Sequence, residues 1–137
     1  MLASSVLFRC PKICRDFFRM IGVIPIDIGK PDLSGLSDIN AHLERNEIVC
    51  FFPEGSIHKD PPTHTFKPGF AVTALNAGAP VIPVYLCIKK FPRRAVAVIG
   101  DPVDAGMYPK HPSPEELKEF SELVRLRVEA LGKEAGC

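Results

Sequence analysis

The stretch Ile48-Val49-Cys50-Phe51-Phe52-Pro53-Glu54-Gly55-Ser56 decides how the rest of the 137-residue chain is read. Its first five residues are apolar, rich in β-branched and aromatic side chains, and of a length that suits a buried strand. Pro53 has no N–H to give to a sheet ladder, so the strand should stop there. Glu54 then puts an acid at a strand end, Gly55 lets the backbone turn with positive φ or approach a ligand closely, and Ser56 adds a hydroxyl. Ligands of α/β proteins gather beyond the carboxyl ends of strands, so this pattern fits a site. Turn chemistry alone also accounts for Pro53, Gly55 and Ser56, and on pattern alone the two readings stand level.

Phe52-Pro53-Glu54-Gly55-Ser56, followed by Phe66-Lys67-Pro68-Gly69 and Ala77-Gly78-Ala79-Pro80-Val81-Ile82-Pro83-Val84, resembles the glycerophospholipid acyltransferase family, typified by lysophosphatidate acyltransferases. The third motif of that family is Phe-Pro-Glu-Gly followed by Ser or Thr, and the fourth is a short apolar strand with a central proline. Upstream, Gly22-Val23-Ile24-Pro25-Ile26-Asp27 resembles the second motif, Gly-x-Ile-Phe-Ile-Asp-Arg. The resemblance runs from Phe8 to Asp101. It also has departures. The family's catalytic motif, His-x-x-x-x-Asp, lies upstream of the second motif, but the residues before Gly22 contain no histidine. His42, His58, His64 and His111 all follow it; His42 precedes Glu47 by five residues and His111 precedes Glu116 by five, neither at the family's position. Ile28 replaces the arginine of the second motif, with Lys30 the nearest cation, and Ile57 stands where Arg or Ser often follows the third. The expectation is a family member missing its first segment.

The resemblance implies an α/β fold, a central mixed sheet covered by helices, in a single domain over residues 1–137. It implies transfer of an acyl group from a thioester, on coenzyme A or acyl carrier protein, to a hydroxyl of a glycerol-phosphate-type lipid acceptor. In the family a histidine is the general base and an aspartate orients it, with no acyl-enzyme intermediate. Only the acceptor side carries over: Asp27, Glu54, Gly55 and Ser56, with Lys30 and Lys67 as candidate phosphate contacts. Glu54 cannot attract a phosphate, so its part is to orient a cation or a backbone turn that does. No catalytic residue is assigned, and the 137 residues alone are expected to be inactive. The alternatives are a non-catalytic glycerophosphate- or lipid-binding module and an unrelated α/β domain. Membrane association on the cytoplasmic side is implied, with no bound cofactor.

Composition narrows the field. A net charge of +1 gives no ground for a nucleic-acid partner, and 46% hydrophobic residues supply one core. Five cysteines, odd in number and without a Cys-x-x-Cys pair, argue against a disulfide framework and for a reducing compartment. His58, Asp60 and His64 match no common metal spacing, and Pro61-Pro62 stiffens the backbone between them. Ser56 lacks the Gly-x-Ser-x-Gly frame of a nucleophile elbow. No apolar run approaches the 18 residues or so of a membrane span.

Periodicity places the remaining elements. Residues 11–20 read as a helix with Lys12, Arg15 and Arg19 on one face. That face is either a solvated basic stripe or a contact with an anionic membrane surface, with Phe17 and Phe18 entering the headgroups. A strand over 22–28, a helix over 31–46 and a short helix over 69–76 follow. Beyond them come strands over 81–88, broken at Pro83, and 95–99. Lys89 to Arg94 between these strands form a second cationic patch or a solvated hairpin loop. Ser113-Pro114-Glu115-Glu116 opens the last helix with an N-cap, a proline at the first position and a capping-box acid, and Gly132 is its expected stop.

Overall fold

The structure, a computed structural model, describes residues 2–4, 12–26, 33–54, 65–89 and 94–136. Helices and strands interleave in the order β1 (Leu2–Ser4), α1 (Lys12–Met20), β2 (Ile24–Ile26), α2 (Leu33–Glu44), α3 (Gly69–Ala77), β3 (Val84–Lys89), β4 (Arg94–Ile99) and α4 (Pro114–Glu134). The α/β expectation holds. Both strand senses occur among the described residues: β1 runs parallel to β2, and β3 antiparallel to β4. The chain divides into two compact units, Met1–Gly55 and Ser56–Cys137.

In the first unit, Ile24 of β2 and Ile39 of α2 are buried against each other. A left-handed turn delivers β2 from α1. Gly22 has φ 72, and the Val23 N–H donates to the Phe18 carbonyl at 2.9 Å, a conformation glycine adopts without steric cost. β1 pairs Leu2 with Ile24 and Ser4 with Ile26. The sequence did not reveal it, because three residues are too few to show an alternation. α2 closes with Asn46 at φ 58, its N–H on the Leu43 carbonyl at 2.9 Å and the Glu47 N–H on the His42 carbonyl at 3.0 Å. This is the paired bonding of a Schellman ending, with asparagine in the usual glycine place.

The expected strand over Ile48 to Phe52 is a departure. Among the described residues the run has no ladder partner. Val49 and Phe51 pack against the Ile24–Ile39 core, while Ile48 is 91% exposed and Phe52 58%. A continuous apolar run reads as a strand buried on both faces; here only one face finds a neighbour.

The second unit is built on α4. Its start is the capping box the sequence promised: Ser113 Oγ accepts from the Glu116 N–H at 3.2 Å, and Glu116 Oε2 accepts from the Ser113 N–H at 2.7 Å. Phe120, Val124 and Leu131 are its buried face. α3 is held through a chain of rings, Phe66 edge-on to Phe70, Phe70 against Phe120, and Phe120 edge-on to Tyr108. Such ring pairs contribute beyond the area they bury. The apolar run from Val81 breaks at Pro83 as expected. Val81 bridges to Val103, Pro83 accepts from the Gly100 N–H at 2.9 Å, and β3 starts at Val84. Two readings need correction. Gly132 does not stop α4, which continues to Glu134, because the glycine serves a close packing contact with β3. Cys87 is one half of a disulfide, so the thiols are not all reduced, although Cys50 is free and exposed.

Candidate functional site

Of the six candidate residues, Glu54 and Lys67 are described; Asp27, Lys30, Gly55 and Ser56 lie outside the described residues, as do His58 and His64. Glu54 belongs to the first unit and Lys67 to the second.

Glu54 sits in a turn that follows the one-sided run. Val49 and Phe51, two residues apart, seat that run on Ile24 and Ile39, and Pro53 rigidifies its exit. The carboxylate emerges half-buried. Among the described residues no hydrogen bond or ion pair engages it. A carboxylate in this position retains part of its hydration and keeps its acceptor capacity for a cation or a backbone N–H.

Lys67 is exposed and stands immediately before α3. Pro68 is the N-cap, and no side chain caps the helix; no acidic residue occupies the first turn. The first N–H groups of α3 therefore point outward beside a lysine, an arrangement whose dipole and charge both favour an anion. The rings of Phe66 and Phe70 on either side of Lys67 fix this end of α3 within its unit.

A third cluster joins residues whose spacing was visible but whose contact was not. His42 Nδ1 lies 2.5 Å from Glu47 Oε2, the Arg45 Nε donates to Glu47 Oε1 at 2.9 Å, and Arg45 Nη2 lies 3.1 Å from His42 Nδ1. The hydrogen bond from His42, and then that from Arg45, hold the Glu47 carboxyl below its ordinary value. The αL turn at Asn46 brings these side chains together. His42 itself is half-buried.

In the second unit an open cavity of about 520 Å³ is lined by Asp104, Met107, Tyr108, Glu119, Leu123 and Arg127, among others. Burial first, and the neighbouring Glu119 second, push the Tyr108 phenol up. None of the candidate residues lines this cavity. Among the described residues no group of three His, Cys, Asp or Glu is placed to hold a metal ion, and no helix is long and apolar enough to cross a membrane.

Comparison with known proteins adds two findings. The family model described as Acyltransferase matches residues 1–87, a range that contains all six candidate residues. The fold is similar to the crystal structure of the 1-acyl-sn-glycerophosphate (LPA) acyltransferase PlsC from Thermotoga maritima, with a TM-score of 0.69 and 20% identity, over 99% of this chain and 56% of that one. The chain thus spans little more than half the length of that protein, and at this identity the likeness is one of fold. No curated protein matches the chain.

Proposed function

The chain belongs to the acyltransferase family, and on that premise we propose that it supplies the acceptor side of an enzyme of phospholipid synthesis. The reaction moves an acyl group from a thioester, on coenzyme A or acyl carrier protein, to a hydroxyl of a glycerol-phosphate-type lipid. The acceptor oxygen bonds to the acyl carbon as the carbon–sulfur bond breaks, its proton passes to a general base, and the thiol leaves. In this reading Asp27, Glu54, Gly55 and Ser56 shape the acceptor pocket, and Lys30 and Lys67 contact the phosphate. Because the acceptor is a lipid, the partner surface is an anionic membrane, met from the cytoplasmic side.

The match over residues 1–87 supports this reading most directly, since the Pro-Glu-Gly-Ser turn and its companion stretches stand within it in the family's order. The alternative reading is a glycerophosphate- or lipid-binding module without chemistry.

Thioester-dependent acylation of lysophosphatidate separates them, measured on the 137-residue chain alone and on the chain joined to a segment carrying His-x-x-x-x-Asp. Turnover is expected only in the joined protein. Turnover by the chain alone would move the base to a histidine within it, His42 or His58. Acceptor binding without turnover in either form would favour the module.

A further inference from the structure

We propose that α1 is an in-plane lipid-binding helix, whose stripe of Ile13, Phe17 and Met20, extended by Ile21 in the following turn, enters the surface of an anionic bilayer. The inference rests on the membrane reading above and deepens it by naming the element and side chains that make contact.

The four residues recur at the spacing that places side chains on one face of a helix. Such a stripe is ordinarily what a helix buries. Here it is exposed: Ile13 84%, Phe17 51%, Met20 76% and Ile21 50%. The helix is not loose at this end. Phe18, off the stripe, is half-buried, and beyond the Gly22 turn Val23 and Ile24 are in the core. α1 is therefore attached through residues other than its most apolar stripe.

Charge selects the partner. The sequence of α1 carries Lys12, Arg15 and Arg19 against the single acid Asp16, and helical periodicity sets these cations on the face away from the stripe, the pattern of a helix that lies in a lipid interface. Anionic headgroups attract a helix of this net positive charge, and each cation near such a surface adds to binding. Nine residues rise about 14 Å, less than half of the roughly 30 Å hydrocarbon core. The helix therefore lies in the interface, apolar side down, as amphipathic anchors do.

The chain contains no tryptophan, so Phe17→Trp places a single fluorescent reporter on the stripe and Phe18→Trp a control beside it. With vesicles of phosphatidylcholine and phosphatidylserine, Phe17→Trp should shift to shorter wavelength and become shielded from acrylamide. Phe18→Trp should change little. Phosphatidylcholine vesicles alone should give a weaker response, and added salt should reverse the anionic one, since charges are screened beyond about 8 Å at physiological ionic strength. In sedimentation, Ile13→Ser/Phe17→Ser should bind the anionic vesicles more weakly by about tenfold or more. Its melting temperature should match the parent's, because both side chains are exposed. If the parent pellets with anionic vesicles and the double variant does so equally, the α1 assignment is overturned while the membrane reading stands. No binding by the parent overturns both. A Phe17→Trp shift that follows protein concentration without vesicles would assign the stripe to a second copy and overturn the proposal.

Discussion

A Cβ added to Gly132 of α4 would stand 2.8 Å from Cε2 and 2.9 Å from Cζ of the Tyr85 ring on β3. No ordinary carbon contact is that short, so α4 and β3 approach this closely only because residue 132 has no side chain. Glycine within a helix is otherwise unfavourable by about 1 kcal/mol relative to alanine.

Gly132→Ala sets these two effects against each other. Overpacking against a rigid ring costs about 1–3 kcal/mol, more than the helix propensity gained. The variant should therefore melt below the parent, and Tyr85→Ala in the same background should recover part of the difference relative to Tyr85→Ala alone. A Gly132→Ala protein that melts higher than the parent contradicts the contact.

The same pair shows what the sequence could and could not convey. The start of α4 was legible because a capping box is written in four consecutive residues. The role of Gly132 depends on Tyr85, far back in the chain, and local pattern made it a stop signal. Ile48 to Phe52 failed for a related reason: an apolar run does not say how many of its faces will find neighbours. At the candidate site, the residue types of Glu54 and Lys67 were legible, but the half-burial of Glu54 and the uncapped start of α3 were not. The spacing of His42 and Glu47 was plain, whereas their contact needed the left-handed turn at Asn46.

Two serines of α4 should respond in opposite directions. Ser113→Ala removes the cap and should destabilise by about 1 kcal/mol. Ser121 is buried, and among the described residues its Oγ has no hydrogen-bond partner, so Ser121→Ala relieves an unsatisfied hydroxyl and should leave stability unchanged or raise it by up to about 1 kcal/mol. Thermal melts of both variants decide. A loss at Ser121 equal to that at Ser113 would mean the hydroxyl is engaged.

Acid should loosen the end of α2. The Glu47 carboxyl is lowered from 4.5 by the hydrogen bond from His42 and then that from Arg45. A carboxyl lowered in the folded state contributes stability that is present above its unfolded value and lost as pH falls through the folded one. The parent should thus lose more melting temperature than Glu47→Gln on going from about pH 5 to about pH 3. The difference should shrink in high salt, because the cluster is exposed. Parallel pH profiles for the two proteins would remove Glu47 from the acid response.

Lys67→Ala isolates the phosphate contact from the fold. The side chain is exposed, so melting should stay within about 0.5 kcal/mol of the parent. Titration with glycerol 3-phosphate should show weaker binding, with a reduced dependence on salt. Unchanged binding would return Lys67 to the solvated surface.

The most direct measurement is a calorimetric titration of the parent and Glu54→Gln with lysophosphatidate. Glutamine keeps the shape of the half-buried side chain and removes its charge, so both proteins should melt alike. If Glu54 organises the acceptor site, the variant should bind about tenfold more weakly, equivalent to about 1.4 kcal/mol. Equal affinity in the two proteins would make Phe52-Pro53-Glu54-Gly55-Ser56 a surface turn and contradict the assignment of the acceptor site to it.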